Sequence, residues 1–306
     1  MGWNLSATSG HGKVLIEPGV RTLAGEFGAC LLEAWAAPPQ AGWAPLSRGR
    51  LMSSRSSWCC PPRPLALPEG EVHVWRAALN MAAIDLEGVQ ATLSSDERAR
   101  ASRFRFAKDH RHFVAARGTL RTILARYIDR APSQIEFCYS QSGKPELAPG
   151  CDAKALRFNL SHSQGLALYA ITRDHEIGVD LEGVRADFAW EEIASRYFAP
   201  GEVEALQLVP ASSRAEAFFN CWTRKEALVK ARGEGLSLPL DQFEVSLAPG
   251  EPARLLRTTG DPQEAEHWSI CGLQPAAGYV AAVALRSSRC ELKLWELPGF
   301  HEPITS

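Results

Sequence analysis

Residues 213–232 carry the pattern that most restricts the fold, an amphipathic helix with one acid on its apolar face. Ser213 and Glu216 form an S-x-x-E capping box, and Gly233 follows as a C-terminal stop. At about 100° per residue, one face collects the bulky apolar side chains Phe218, Phe219, Trp222 and Val229. Glu226 projects from the middle of that face, where an ionised carboxylate needs a cation, a hydrogen-bond partner or a raised pKa.

Two interpretations of Glu226 are open at this point. It pairs with Lys230 at i,i+4 spacing on a solvated edge of the helix, an interaction worth a few tenths of a kcal/mol. Alternatively, the flanking aromatic residues bury it and a cation compensates its charge. The choice depends on whether other acids lie nearby.

A second pair of acids lies in the segment Ile177-Gly-Val-Asp-Leu-Glu182. On a strand, alternation puts Asp180 and Glu182 on the face opposite the apolar residues. Two neighbouring acids repel each other unless a cation sits between them, although a solvated strand edge is an ordinary alternative. With Glu226 they would make a hard oxygen site of the kind that magnesium prefers.

Three features supply positive charge or hydrogen-bond donors. The segment Phe158-Asn-Leu-Ser-His-Ser163 predicts a strand that runs into a polar turn, with His162 as a candidate phosphate ligand or a structural histidine. The turn Gly143-Lys-Pro145 fixes Lys144 between strands. The third feature is a run of basic residues on predicted helices. Their side chains either lie on solvated helix faces or bind phosphate. The run comprises Arg98, Arg100, Arg103, Arg105, Lys108, Arg111, Arg117, Arg121, Arg126 and Arg130.

Composition limits the class of protein. The chain has 306 residues, of which 45% are hydrophobic, and a net charge of -2, which argues against a protein built to coat nucleic acid. No apolar stretch approaches the roughly 20 residues needed to span a bilayer, and the N-terminus lacks a secretory signal pattern. The eight cysteines form no CxxC pair, which is typical of reduced thiols in the cytoplasm. We therefore expect no membrane or nucleic-acid partner.

The order of elements predicts an α+β fold. Residues 1–70 mix Gly, Pro and Ser without periodicity, and we expect them to form a poorly ordered extension. Beyond residue 71, short strands and helices alternate without a regular βαβ rhythm, which favours α+β.

Taken together, the motifs resemble one known family. In chain order they are GKP, FNLSHS, IGVDLE and Trp222-Thr-Arg-Lys-Glu-Ala-Leu-Val-Lys230, followed by Gly233-Glu-Gly-Leu-Ser-Leu-Pro-Leu240. This series, between residues 93 and 286, resembles the Sfp-type 4'-phosphopantetheinyl transferases. The resemblance implies two similar α/β halves, residues 71–173 and 174–290, packed as a pseudo-dimer within one monomeric chain. Residues 291–306 would then be a C-terminal tail.

The resemblance also implies the function. The family transfers 4'-phosphopantetheine from coenzyme A to a serine of an apo acyl or peptidyl carrier protein, releases 3',5'-ADP and requires Mg²⁺. Two alternatives remain: a magnesium-dependent phosphodiester hydrolase that acts on nucleotides, and a binding module that engages RNA or an acidic partner through its arginine-rich helices.

The family's functional residues carry over by position. Asp180, Glu182 and Glu226 match its magnesium-binding acids, and Lys230 matches the lysine beside the reacting phosphate. The residues that match its coenzyme A contacts are Arg98, Lys144, Ser161, His162 and Lys230. We expect Glu226 to act as the base for the carrier serine and Lys230 to stabilise charge on the transferred group. A second basic position of the family, three residues after Arg98, is Ala101 here, so that the 3'-phosphate needs Arg100 or another arginine.

Overall fold

The computed structural model describes residues 57–150, 156–234, 238–261 and 263–297. Its first half contains β1 (Glu71–Ala78), α1 (Ala83–Gln90), α2 (Ser95–Ala101), α3 (Ala107–Leu124), β2 (Phe137–Tyr139), β3 (Pro145–Leu147), β4 (Leu156–Ser163) and β5 (Leu166–Arg173). The second half contains β6 (Ile177–Gly183), α4 (Trp190–Tyr197), α5 (Pro200–Leu208), α6 (Arg214–Arg232), β7 (Phe243–Val245), β8 (Leu255–Thr258), β9 (Ser269–Leu273) and β10 (Tyr279–Leu285). The last described strand is β11 (Glu291–Glu296).

The two halves repeat one topology. Each runs through a strand, two short helices, a long helix, a two-stranded hairpin and two further strands. Their three main strands have the same spatial order, β1-β5-β4 in the first half and β6-β10-β9 in the second, and both sets are antiparallel. The α+β class and the pseudo-dimer of similar halves are therefore confirmed.

Each sheet buries both of its faces. In β1, Trp75 and Ala77 pack under α3, whereas Val72 and Val74 point to the opposite side. The equivalent faces of the two sheets meet there and form one apolar layer, which we call the between-sheet core. Its members include Val72, Val74, Leu166, Leu168, Ala170, Ile177, Val179, Leu181, Tyr279, Ala281, Val283 and Leu285. This layer brings β4 of the first half next to β6 of the second.

A buried ion pair anchors the long helix of each half. In the first half, Arg121 of α3 pairs with Glu97 of α2 at 2.7 Å, and Glu97 also accepts the backbone N–H of Ser94 at the start of that helix. In the second half, Lys225 of α6 pairs with Glu202 of α5 at 2.7 Å. Because all four groups are buried and hydrogen-bonded, removal of either partner would leave a buried charge uncompensated.

The predicted boundaries of helix α6 are nearly right, but its predicted cap is not formed. The helix ends at Gly233, whose φ of 73° is the left-handed conformation expected of a helix stop. Ser213 is the residue before the helix but makes no side-chain capping hydrogen bond. It follows the short 3₁₀ turn Ala211–Ser213, and its backbone already has helical angles, so the extended geometry of a capping box is missing.

Two segments expected to lie outside the fold are part of it. Strand β11, in the expected tail 291–306, pairs in parallel with β1 and returns the chain from the second half to the first. Within the expected extension 1–70, Leu67 is buried with Trp75 and Ala77 in the core of the first half, and Cys59 forms an isolated parallel bridge with Trp295 of β11. Residues 1–56 and 298–306 lie outside the described residues. In the part of the chain that the structure describes, no helix combines the length and apolarity that crossing a membrane requires.

Gly178 in β6 sets the distance between this strand and α6. A Cβ atom at this position would overlap the carbonyl oxygen of Ala227 and the backbone nitrogen of Ala231. We predict that Gly178→Ala separates the strand from the helix and lowers the free energy of unfolding by about 1–3 kcal/mol. Chemical denaturation measures the change. Gly260→Ala is the matched control, since no atom lies within 4 Å of its Cβ position. An equal, small effect of both substitutions would contradict the prediction.

Candidate active site

The candidate active site lies where β4 meets β6. Alternate side chains of β4 point at β6 and link the two strands in place of a backbone hydrogen-bond ladder. The Asn159 Oδ1 atom accepts the Val179 N–H at 2.9 Å, and the Ser161 hydroxyl donates to the Asp180 carboxylate at 2.9 Å. The segment 158–163, predicted as a strand that runs into a polar turn, is strand as far as Ser163, and its polar residues belong to the seam between the halves.

Ser163 and Glu182 form the next contact along this seam. The Ser163 hydroxyl donates to Glu182 Oε2 at 2.9 Å and also accepts the Gly183 N–H at 3.3 Å. The sequence interpretation did not assign Asn159 or Ser163 to the site. The signal was present, because every second residue from Asn159 to Ser163 is small and polar on one face of a strand.

Lys230 of α6 supplies positive charge to this seam. Its ammonium donates to Asp180 Oδ1 at 2.6 Å and to the Ser161 hydroxyl and Val179 carbonyl at 3.3 Å each. Burial alone would lower the pKa of Lys230, but the charges of Asp180 and Glu226 outweigh it and the pKa is raised. Lys230 is thus held as a cation whose direct ion-pair partner is Asp180.

Glu226 is buried one helical turn before Lys230. Only 8% of its surface is exposed, which excludes the interpretation of a solvated helix edge. Burial and the neighbouring charge of Asp180 raise the pKa of Glu226 to about 7. The same two causes raise the pKa of Glu182 to about 8. Asp180 is therefore the acid that both glutamates sense, and the three acids share one electrostatic environment.

The donor set suits a hard divalent cation. The second oxygen of Asp180, Oδ2, is buried without a hydrogen-bond partner in the described part of the chain. Such an oxygen beside two glutamates whose ionisation is disfavoured is a group that added positive charge would stabilise. Among the described residues, however, no three His, Cys, Asp or Glu side chains are grouped closely enough to form a ready-made metal site. Lys230 and Ser161 donate to Asp180 Oδ1, and Ser163 donates to Glu182 Oε2, so that one oxygen of each strand acid already has a protein donor.

His162 lies beside Lys230 and is neutral at physiological pH. Burial lowers the pKa of His162 to about 4, and the nearby charges of His112 and Lys230 act in the same direction. His112 of α3 is a neighbour that the sequence did not single out, and its ring Nε2 is 2.9 Å from Asn80 Oδ1. Because its imidazole is uncharged, His162 can offer an anion a hydrogen bond but no ion pair.

Lys144 lies at the edge of this region and is engaged by main-chain groups. Its ammonium donates to the carbonyls of Ile177 and Lys230, at 2.9 Å each, and lies 3.7 Å from Glu176. The lysine of the predicted turn thus links the start of β6 to the end of α6. An ammonium has three donors, so these two carbonyls leave one, for which any further acceptor would compete with the Glu176 carboxylate.

Arg98 lies outside the group formed by Asp180, Ser161 and Lys230. It is exposed on α2 and its guanidinium donates to the Leu93 carbonyl, and no contact in the described ranges joins it to that group. Arg100, the alternative from the sequence, lies over the Phe113 ring at 5.5 Å. Burial and the neighbouring charge of Arg117 lower the pKa of Arg100. Which arginine meets a phosphate stays a prediction.

Comparison with known proteins gives consistent matches over both halves. Residues 176–284 match the ACPS family, described as the 4'-phosphopantetheinyl transferase superfamily, and residues 80–173 match the family described as 4'-phosphopantetheinyl transferase, N-terminal. The chain is 42% identical over 239 residues to the 4'-phosphopantetheinyl transferase HetI of a Nostoc species, covering 78% of this chain and 98% of HetI. It is 30% identical over 161 residues to the 4'-phosphopantetheinyl transferase Sfp of Bacillus subtilis, covering 53% and 69%.

Solved structures show a weaker likeness. The holo-[acyl-carrier-protein] synthase of Thermotoga maritima is 20% identical, with a TM-score of 0.31, and the match covers 37% of this chain and 64% of that one.

The raised carboxyl pKa values predict a pH dependence of stability for protein treated with a metal chelator. Between pH 6.5 and 8.5 the unfolded chain has released the protons of Glu182 and Glu226, whereas the folded chain still holds part of them. Stability therefore falls as the pH rises, by on the order of 1 kcal/mol per carboxyl. We expect Glu226→Gln to flatten this slope in chemical denaturation measured across that range. An unchanged slope would show that Glu226 ionises as an ordinary carboxyl.

Proposed function

The chain belongs to the 4'-phosphopantetheinyl transferase superfamily, and we propose that it transfers the 4'-phosphopantetheine group of coenzyme A to a serine of an apo acyl or peptidyl carrier protein. 3',5'-ADP is the second product. The observation that carries this proposal is the contact of Lys230 with Asp180 and Ser161, beside two buried glutamates, at the seam between two similar halves. That seam joins a lysine and several acids, the groups that transfer of a charged phosphoryl group needs.

We propose that Mg²⁺ is the metal and that Asp180, Glu182 and Glu226 would hold it. The unpartnered Asp180 oxygen and the raised pKa values of both glutamates support this assignment. Mg²⁺ would supply positive charge against the pyrophosphate of coenzyme A and stabilise the leaving 3',5'-ADP.

Lys230 is the proposed electrostatic partner of the transferred phosphoryl group. Its bonds to Asp180 and Ser161 restrict the ammonium to a small region, so little reorganisation is needed when charge develops. The neutral His162 lies next to it and would offer a hydrogen bond to a phosphate oxygen. Ser161 would do so by turning its hydroxyl from Asp180, to which it donates here, to the phosphate. Lys144 would use its remaining donor for the nucleotide, and Arg98 would meet the 3'-phosphate.

Glu226 is the proposed base for the carrier serine. A serine hydroxyl is a weak nucleophile until a base removes its proton. Without a bound cation the pKa of Glu226 is about 7, so that the group is a stronger base than an ordinary glutamate. Burial and the neighbouring charge of Asp180 are the two causes of this raised pKa. A bound cation would lower this pKa, and Glu226 would then meet the serine as an ionised carboxylate.

The two halves, residues 71–173 and 174–290, would enclose coenzyme A in the cleft between them. The site draws on both, because Ser161 and His162 come from β4 and the acids come from β6 and α6. In this proposal one chain is sufficient for activity, so the enzyme would work as a monomer. We also propose that it acts in the cytoplasm.

A carrier-loading assay tests the proposed transfer. Protein, Mg²⁺, coenzyme A and an apo carrier are mixed, and intact mass spectrometry follows the carrier. We expect the carrier to gain the mass of one phosphopantetheine, and a chelator to abolish the gain. Release of 3',5'-ADP at an equal rate without any carrier would instead indicate a phosphodiester hydrolase.

Substitution of the acids tests the proposed site. We predict that Asp180→Ala and Glu226→Gln each reduce the rate of carrier loading at least about 10²-fold, as expected when a key electrostatic contact is lost. Glu216→Gln is the matched control, because Glu216 is an exposed glutamate on the same helix. Near-normal turnover of a folded Asp180→Ala or Glu226→Gln protein would contradict the assignment of the metal site.

A further inference from the structure

Lys144 is fixed in place by the hairpin that carries it. Its backbone lies in the turn between β2 and β3, where the Ser140 N–H donates to the Lys144 carbonyl at 2.9 Å and the Lys144 N–H donates to the Ser140 hydroxyl at 3.1 Å. Gly143 precedes it with a φ of 79°, the left-handed conformation that glycine adopts readily. The base of the Lys144 side chain therefore has a defined position on the first half.

The ammonium of Lys144 reaches across to the second half. It donates to the carbonyls of Ile177 and Lys230, at 2.9 Å each, and only 12% of the side chain is exposed. Lys230 lies in the last turn of α6, where carbonyls have no N–H partner within the helix. A cation at this end also opposes the partial negative charge of the helix terminus. Lys144 thus caps α6 from the other half of the molecule.

The two carbonyls belong to the elements that carry the ion pair of the site. Ile177 begins β6, the strand of Asp180, and the Lys230 side chain donates to Asp180 at 2.6 Å. The Lys144 bonds therefore join the backbones of β6 and α6 close to the point at which their side chains pair. Hydrogen bonds from a charged donor are stronger than those between neutral groups, so that these bonds restrict the backbone of Lys230.

We propose that Lys144 is a positioning residue for the transfer reaction, which fixes the backbone of Lys230 so that its ammonium is held beside Asp180 and the transferred phosphoryl group. This role rests on the function proposed above. It is separate from a contact with the nucleotide, because the two carbonyl bonds act on Lys230 whether or not the third donor meets coenzyme A. Lys230 would interact most strongly with charge that develops in the transition state, so the role predicts an effect on kcat.

Steady-state carrier loading by the full-length protein with Mg²⁺ tests this role. Lys144→Met keeps the length of the side chain but removes its charge and its donors. We expect kcat to fall roughly 10- to 100-fold, the scale on which a small misplacement of a reacting group acts. Loss of a nucleotide contact alone would instead raise the KM for coenzyme A and leave kcat unchanged.

Glu176→Gln is the matched control. Glu176 lies 3.7 Å from the Lys144 ammonium and is half exposed, so its substitution should change kcat by less than about twofold. The carbonyl bonds of Lys144 are kept in this variant.

A double-mutant cycle shows whether Lys144 acts through Lys230. In a protein that already carries Lys230→Met, Lys144→Met should cause no further loss of kcat, because the group that Lys144 positions is gone. Lys144→Gln takes the place of Lys144→Met in both backgrounds if the methionine variant does not fold. An equal fractional loss of kcat with and without Lys230 would show that Lys144 acts independently and would overturn the proposal.

Hydrogen exchange provides a measurement without substrate. In Lys144→Met the amides of the last turn of α6, including the Gly233 N–H that donates to the Val229 carbonyl at 3.1 Å, should exchange at least about tenfold faster than in the wild type. In Glu176→Gln they should not. Unchanged exchange, or an effect confined to KM, would overturn the positioning role alone. Failure of the wild type to modify any carrier would overturn the proposed function, and this role with it.

Discussion

The buried acids of β6 and α6 need a counter-charge, and Lys230 provides it. Asp180, Glu182 and Glu226 are each less than 10% exposed, and the ammonium of Lys230 contacts Asp180 at 2.6 Å. Burial and the charge of Asp180 raise the pKa values of both glutamates, and the single charge of Lys230 does not offset these two effects. This deficit depends on the close approach of β6 to α6, which a glycine at position 178 permits. The electrostatics of the site therefore depend on the backbone packing of β6 against α6.

The buried ion pairs that anchor the long helices occur in both halves, but the acids of the site occur in only one. Arg121 donates to the carbonyls of Pro132 and Ile135, in the segment after α3, and Lys225 donates to those of Leu240 and Phe243, in the segment after α6. Each cation also pairs with a glutamate that accepts the N–H at the start of a short helix. The next residue differs, because α6 continues with Glu226 where α3 continues with Thr122. The acids thus belong to the second half, and the first half contributes the polar edge of β4 that faces them.

Sequence patterns predicted the features that depend on residues close together in the chain. The α6 helix and its glycine stop follow from the sequence of about 20 residues, and the alternation in Ile177–Glu182 gave the face of the two strand acids. The same pattern left the burial of Glu226 open. The pairing of strands that lie far apart in the sequence could not be predicted in this way. Strand β11 was predicted as a tail, although Leu292 and Leu294 alternate with polar residues, because its partner β1 is more than 200 residues away. The role of Lys144 at the carbonyls of Ile177 and Lys230 depends on the same kind of distant contact.

The charge of the site also limits what it can bind. Acids facing a pyrophosphate repel it, and the neutral His162 adds no positive charge. Lys230 alone leaves the site with more acid than base even before an anion arrives. A divalent cation would remove this excess of negative charge, because its two positive charges together with that of Lys230 equal the charge of the three ionised carboxylates. Raised carboxyl pKa values and an unpartnered Asp180 oxygen are energetically unfavourable in the protein without ligands. They are the features expected of a site that binds an anionic substrate and a cation together.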